Sequence, residues 1–177
     1  MWQKTRGIVF NTIKHKENAY IVKIYTRYSG LQAFYINVPI STKKSKGLAH
    51  IQPLTLLEIE FHEKENLLFQ RPKEIKITEP YKSIPFDINK TATVIFLQEI
   101  ICKTIIENIP NHDLFDFMWF SFHFLDINEN SNNFHISFLA KLLKYIGFLP
   151  QKNYSETNRY FDIRSGDYTQ DKPSHSY

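Results

Sequence analysis

The sequence predicts an α+β chain: a five-stranded β-barrel over residues 1–80, followed by a mostly α-helical part over residues 81–177 that ends in a short polar hairpin. Three observations predict it. Apolar residues alternate with a period of two as far as Ile77, which is the signature of half-buried strands. After "EPYKSIPFD" the period lengthens to that of a helix. Aromatic residues make up 15% of the 177 positions, ample material for a core.

The strands follow in order. "TRGIVFNTIK" is the first. In "AYIVKIYTRY" the residues Tyr20, Val22, Ile24, Thr26 and Tyr28 share one side, leaving Ile21, Lys23, Tyr25 and Arg27 on the other. Ser29 and Gly30 punctuate this run before "LQAFYINV", so the two form a hairpin. "TLLEIEFHE" and "LFQRPKEIKI" complete the set, with Pro72 marking an edge or a bulge in the last. Five short strands are consistent with a small closed barrel such as an OB-fold. An open sheet or an SH3-like barrel leaves a similar pattern.

Three helices follow. "INKTATVIFLQEIICKTIIEN" places Val94, Leu97, Ile101 and Ile105 on one stripe, widened by Ile95, Cys102 and Ile106, with Asp87 or Asn89 as cap. "NHDLFDFMWFSFHFLDI" is capped by Asn111 and carries Asp113 and Asp116 in its first turns, where carboxylates favour the helix dipole. "SNNFHISFLAKLLKYIGFLP" buries Phe138, Leu139, Leu142, Leu143 and Ile146 and stops at Gly147. Beyond it, "RYFDI" and "SGD" read as a short hairpin in a polar stretch.

Charge is unevenly spread. Up to Leu57 the cations Lys4, Arg6, Lys14, Lys16, Lys23, Arg27, Lys43, Lys44 and Lys46 meet a single acid, Glu17; the remainder carries more acid than base. Such asymmetry points to a polyanion or an acidic surface as partner of the first part, the plainer reading being a basic half that only aids solubility. The most apolar stretch, "LFDFMWFSFHFLDI", is broken by Asp116, Ser121, His123 and Asp126 and is too short and too polar to span a bilayer. No secretory leader is read at the start, so a soluble, cytoplasmic protein is expected. The single cysteine, Cys102, fits a reducing compartment and supports no disulfide framework.

Most chemistry is unsupported. The five glycines are scattered and form no phosphate-binding loop. Seven histidines lack metal-ligand spacing, so neither a metal nor a cofactor is expected. Glu58 and Glu60 share a strand side and resemble an acid–base pair, yet a solvated face opposite Leu57, Ile59 and Phe61 explains them more simply. Cys102 sits in an apolar helical pattern, which suits packing rather than nucleophilic attack. A hydrolase using Glu58 or His62 is the remote reading, and no enzymatic activity is expected.

What remains is a basic surface interleaved with aromatics, the combination that holds single-stranded nucleic acid through backbone charge and base stacking. The candidate DNA-binding residues are Lys4, Arg6, Lys14, Lys16, Lys23, Tyr25, Arg27 and the loop cations Lys43, Lys44 and Lys46. For Tyr25 the competing reading is an aromatic covered by a helix of the second part. For the surface as a whole it is a protein-interaction scaffold that docks an acidic partner without touching DNA.

"QKTRGIVFNTIKHKENAYIVKIYTRYSG" resembles the opening of the bacterial RecO family of recombination mediators. "IQPLTLLEIEF", "PYKSIPFDINKTATVIFLQEII", "NFHISFLAKLLKYIGFLP" and "YFDIRSGDY" with "KPSHSY" are similar to its later segments, in order. The resemblance implies an N-terminal OB-fold and a helical domain, expected to be incomplete here because the family continues beyond the segment like "PSHSY". It implies binding of single- and double-stranded DNA and annealing of complementary strands. It also implies contact with the acidic C-terminal tail of single-stranded-DNA-binding protein, and joint action with RecR to load RecA. Lys43, Lys44 and Lys46 fall in the family's basic loop, shifted later along it. The family's zinc-finger cysteines have no counterpart in "YFDIRSGDY", so the metal is expected to be absent. Phe138, Lys141, Leu142, Lys144 and Tyr145 form the candidate site for the partner's acidic tail.

Overall fold

The computed structural model describes residues 2–38, 48–64, 67–106, 108–129 and 131–175. The chain divides into two compact units, Met1–His135 and Ile136–Tyr177.

The first unit opens with β1 (Trp2–Lys16), β2 (Ala19–Thr26), β3 (Gly30–Asn37), β4 (Leu56–His62) and β5 (Pro72–Ile77). All neighbours are antiparallel, in the order β3-β2-β1-β4-β5. The alternation of the sequence builds the interior directly. Val9, Val22, Ile24, Phe34, Ile36, Leu57, Ile59 and Phe61 form one buried cluster, with Phe34 meeting Phe61 edge-on at 5.0 Å.

Five strands followed by three helices bear out the α+β class, while the barrel is loosely drawn, the sheet being curled but not fully closed. Among the described residues one parallel bridge, Phe34 to Gln70, links β3 to the segment just ahead of β5, where the Tyr35 N–H donates to the Gln70 carbonyl (2.9 Å) and the Gln70 N–H to that of Ala33 (2.8 Å). Pro72, next along, has no N–H to extend this seam, and β5 shifts register against β4 there.

A bulge sets where the helices sit. Val9 pairs with Ile24 and Asn11 with Lys23, so Phe10 is the extra residue of β1 and its carbonyl is left without a partner on β2. A buried carbonyl needs a donor. Gln98 Nε2 (2.9 Å) and Cys102 Sγ (3.2 Å) supply two from α1 (Ile88–Thr104). Burial pushes the Cys102 thiol up, against the pull of Lys23, which keeps it the protonated donor this bond requires.

Asp87 caps α1 by accepting from the Asn89 and Lys90 N–H groups, and Val94, Leu97, Ile101 and Ile105 are buried as expected. Ile95 and Ile106 are exposed, so the apolar stripe is narrower than the sequence suggested. Asn111 caps α2 (His112–Ile127) through the Leu114 N–H at 3.0 Å. A short 3₁₀ turn, Ile84–Phe86, leads into α1 and is pinned by the buried Asp126 of α2. The Asp126 carboxylate accepts from the N–H groups of Lys82 (2.8 Å), Ser83 (2.8 Å) and Ile84 (3.0 Å). Its carbonyl accepts from the buried Lys90 ammonium at 3.0 Å and from the Ser83 hydroxyl.

α3 (Phe134–Tyr145) begins in the first unit and runs on in the second. Gly147, at φ +79°, ends it as a C-terminal stop, with the Phe148 N–H returning to the Leu143 carbonyl at 2.9 Å. The second unit then forms the hairpin β6 (Tyr160–Asp162) and β7 (Asp167–Thr169). Asn153 fastens to this hairpin, exchanging two hydrogen bonds with the Tyr168 backbone. Asp162 is held below the usual carboxylate range by the Arg164 N–H and by His175, whose Nε2 lies 2.9 Å from it.

Two expectations about stability follow. Burial opposes ionisation of Asp126, but the Lys82, Ile84 and Ser83 N–H groups overcome it and hold the carboxyl below its ordinary value. The stability this confers is present above the unfolded-state carboxylate pKa and is lost as pH falls through the lower folded-state value. Asp126→Asn is expected to cost about 2–3 kcal/mol at neutral pH, as for lost hydrogen bonds to a charged group. Urea titrations across pH should show a shallower acid limb in the variant. At the β2–β3 turn Gly30 has φ +62°, and a Cβ there would stand 2.5 Å from the Asn108 carbonyl oxygen. Gly30→Ala is expected to lose at least about 2 kcal/mol, the left-handed penalty plus the clash, read as a lower thermal midpoint.

Candidate nucleic-acid interface

Directly paired residues share a sheet face. Ile21, Lys23 and Tyr25 of β2 therefore lie on the outer face with Tyr35, Ala33 and Leu31 of β3, and with Ile13, Asn11 and Ile8 of β1. The helices divide this face.

Over its middle they cover it. Tyr25 is 1% exposed, stacked against Phe10 (5.3 Å between centroids) and α2's Phe115 (6.2 Å). Phe115 continues onto Trp119 (5.6 Å), and the Arg6 guanidinium stands 5.2 Å from the Trp119 ring. The run Phe10–Tyr25–Phe115–Trp119–Arg6 is thus an aromatic ladder capped by a cation. The expectation that Tyr25 stacks on bases is corrected: its ring faces are spent on the fold, because α2 needs an apolar landing and β2 offers one at Tyr25.

On one side of the ladder lie Lys4, Arg6 and Arg27, in a cleft shared with Tyr28, Glu58 and Asp116. These cations serve the protein itself. Arg27 makes a two-pronged bond to Asp116, Nε to Oδ1 and Nη2 to Oδ2, each 2.9 Å. That bond raises the Arg27 pKa further and holds Asp116 below the usual carboxylate range. Lys4 pairs with Glu58 at 2.8 Å and its pKa rises accordingly, while Glu60 takes Lys73 at 2.6 Å. Glu58 and Glu60 are therefore ion-pair partners rather than an acid–base couple.

On the other side the face is open. Ile13 is 51% exposed, Ile21 and Tyr35 are half-buried, and Lys23 is exposed. The end of β1 carries exposed Lys14, His15 and Lys16, and the turn that follows carries the exposed Glu17. Among the described residues no carboxylate lies within ion-pair distance of Lys14, Lys16 or Lys23. The His15 ring stands edge-on to Tyr35 at 6.0 Å, and the exposed Arg71 lies 5.6 Å from the same ring. Tyr35 and Arg71 line a groove where β3 and β5 part, together with Asn37, His50, Lys73 and Glu74.

Of the sequence-derived residues, Lys16 and Lys23 lie on this outer face, Lys14 pairs with Tyr20 and so stands on the opposite face at the exposed end of β1, and Lys4, Arg6 and Arg27 lie apart from them. Lys43, Lys44 and Lys46 lie outside the described residues. Tyr35, His15 and Arg71 were missed. Their signals were present in "KHK", "LQAFYINV" and "FQRPK", but only the strand register brings them together.

In the candidate tail site Phe138 and Leu142 are buried, leaving Lys141 and Lys144 exposed and Tyr145 half-buried with the Lys144 ammonium 5.9 Å from its ring. The buried pair offers no apolar seat to an incoming side chain, so that part of the expected site is corrected.

Residues 1–81 match the family described as "Recombination protein O N terminal", and residues 85–156 match "Recombination protein O C terminal". The chain belongs to the recombination protein O family. Among relatives named DNA repair protein RecO, that of Flavobacterium psychrophilum is 38% identical over 92% of this chain and 68% of its own length. That of Bacteroides fragilis is 36% identical over 98% of this chain and 72% of its own. The family's two described parts thus meet this chain on either side of Lys82–Ile84, the segment that Asp126 pins. No helix among the described residues is long and apolar enough to cross a membrane.

The ladder gives a direct expectation. Tyr25→Ala should cost about 3–5 kcal/mol, as for other buried aromatics cut back to a methyl group. Tyr25→Phe, which keeps the ring and loses only the hydroxyl's bond to the Asn111 backbone, should cost about 1 kcal/mol. Chemical unfolding checks both.

Proposed function

We propose that this chain acts in DNA repair as a non-enzymatic recombination mediator, binding DNA through the open basic side of its first eighty residues. The observation that carries the reading is the exposed end of β1, Lys14, His15 and Lys16, whose His15 stands by Tyr35 with Arg71 over the same ring, and Lys23 further along β2, the lysines having no carboxylate within ion-pair distance among the described residues. The relatives' names and the family support it.

Cations along a strand face screen the repulsion between two phosphate backbones and release condensed counterions, so two complementary strands held there anneal without a cofactor. Lys43, Lys44 and Lys46 are proposed as further DNA contacts. Single- and double-stranded DNA, the acidic tail of single-stranded-DNA-binding protein, RecR and, through RecR, RecA are the proposed partners. A cytoplasmic, nucleoid-associated setting accompanies them. The exposed Lys141 and Lys144 are the remaining candidates for the acidic tail.

The rival reading, an acidic protein docked on the same cations, separates by one titration. Labelled single-stranded DNA is expected to bind at low salt, with log affinity falling linearly as log salt rises. Lys14→Ala with Lys16→Ala should flatten that slope by about 1.4, near 0.7 for each phosphate of a single strand that is no longer neutralised. Lys4→Ala should change it far less, because Lys4 already pairs with Glu58. Absence of binding at low salt overturns the reading in favour of the acidic protein.

A further inference from the structure

We propose that Tyr35 is a stacking platform for an unpaired base, and that the groove between β3 and β5 thereby favours single-stranded over fully paired DNA. This rests on the nucleic-acid reading above and assigns it a residue that electrostatics alone does not require.

The platform is rigid. Tyr35 lies between Phe34 and Ile36, both buried, and its backbone is held on two sides, paired with Ile21 of β2 and bonded to the Gln70 carbonyl. A ring on such a strand loses little freedom when a base settles on it.

Its surroundings suit a nucleotide. Arg71 reaches over the ring on a long exposed side chain, the His15 ring stands nearly perpendicular to it at 6.0 Å, and Lys73 and His50 line the same groove. The acid of that lining, Glu74, is paired with Lys76 at 2.9 Å. A base that takes the ring face from Arg71 leaves the guanidinium beside the phosphate of the same nucleotide, where its donors are used in full. Arginine also stacks on bases directly, so its displacement is small.

Stacking needs an exposed π-face. In a duplex each base is stacked and paired within the helix, whereas an unpaired strand offers its faces freely. Lys14, Lys16 and Lys23 grip both forms; Tyr35 distinguishes them.

The experiment compares, on the full chain, an oligothymidylate with an abasic deoxyribose-phosphate strand of equal length, which keeps the charge and lacks the bases. The parent is expected to prefer the thymidylate. In Tyr35→Leu that preference should shrink roughly tenfold, the size of one stacking interaction, while abasic affinity and salt slope stay as they were. Tyr35→Trp should keep or widen the preference, with indole fluorescence above the Trp2 and Trp119 background quenched by thymidylate but not by the abasic strand. This second variant decides the matter should Tyr35→Leu fail to fold. A preference unchanged in Tyr35→Leu, or no base-dependent quenching in Tyr35→Trp, overturns the platform. Equal binding of both strands by the parent overturns the platform alone; no binding of either overturns the nucleic-acid reading itself.

Discussion

The carbonyl of Phe10 is the constraint on which the first unit turns. Freed from β2 by a single extra residue, it lies in the buried Phe10, and among the described residues α1 brings its donors. Once Gln98 and Cys102 are placed, the helix must lie across the middle of the sheet's outer face. α2 then completes the cover by setting Phe115 on Tyr25. The position of one bulge thus decides which strand residues become core and which stay open to a ligand.

That division also sorts the cations by work. Lys4, Arg6 and Arg27 lie where acids or rings are at hand, and their charge is spent on Glu58, Trp119 and Asp116. Lys14, Lys16 and Lys23 have no carboxylate within ion-pair distance among the described residues. Counting charge along the first part of the chain treats these two groups alike, yet only the second leaves an uncompensated field at the surface. Surface ion pairs add little stability of their own. Their effect here is to lower the attraction of one side of the sheet for a polyanion and leave the other side attractive.

Much of the fold was legible in the sequence because its signals are local. Alternation marked the five strands, Asp87 and Asn111 stood at the caps, and Gly30 and Gly147 stood at the turns that need positive φ. Sheet closure was not legible, since it depends on two strand edges far apart in sequence and on a missing N–H at Pro72. The burial of Tyr25 and the exposure of Tyr35 were hidden for the same reason. Both are outward-facing tyrosines by period, and only the tertiary placement of α2 shows that one is covered and the other is not. Asp126 carried a readable sign, an acid inside the most apolar stretch, but its three backbone partners lie more than forty residues away.

Pro72 does more than stop the seam. An open sheet has two bare edges, and a bare edge is a template on which the strand of another molecule can grow. On β5 that template is spoiled at its first residue by the missing donor, then by Lys73 and Lys76, whose ammonium groups would be buried by any strand laid alongside. The feature that keeps the sheet from closing on itself therefore also keeps it from joining its neighbours, and a protein can leave a groove open without becoming the seed of a fibre.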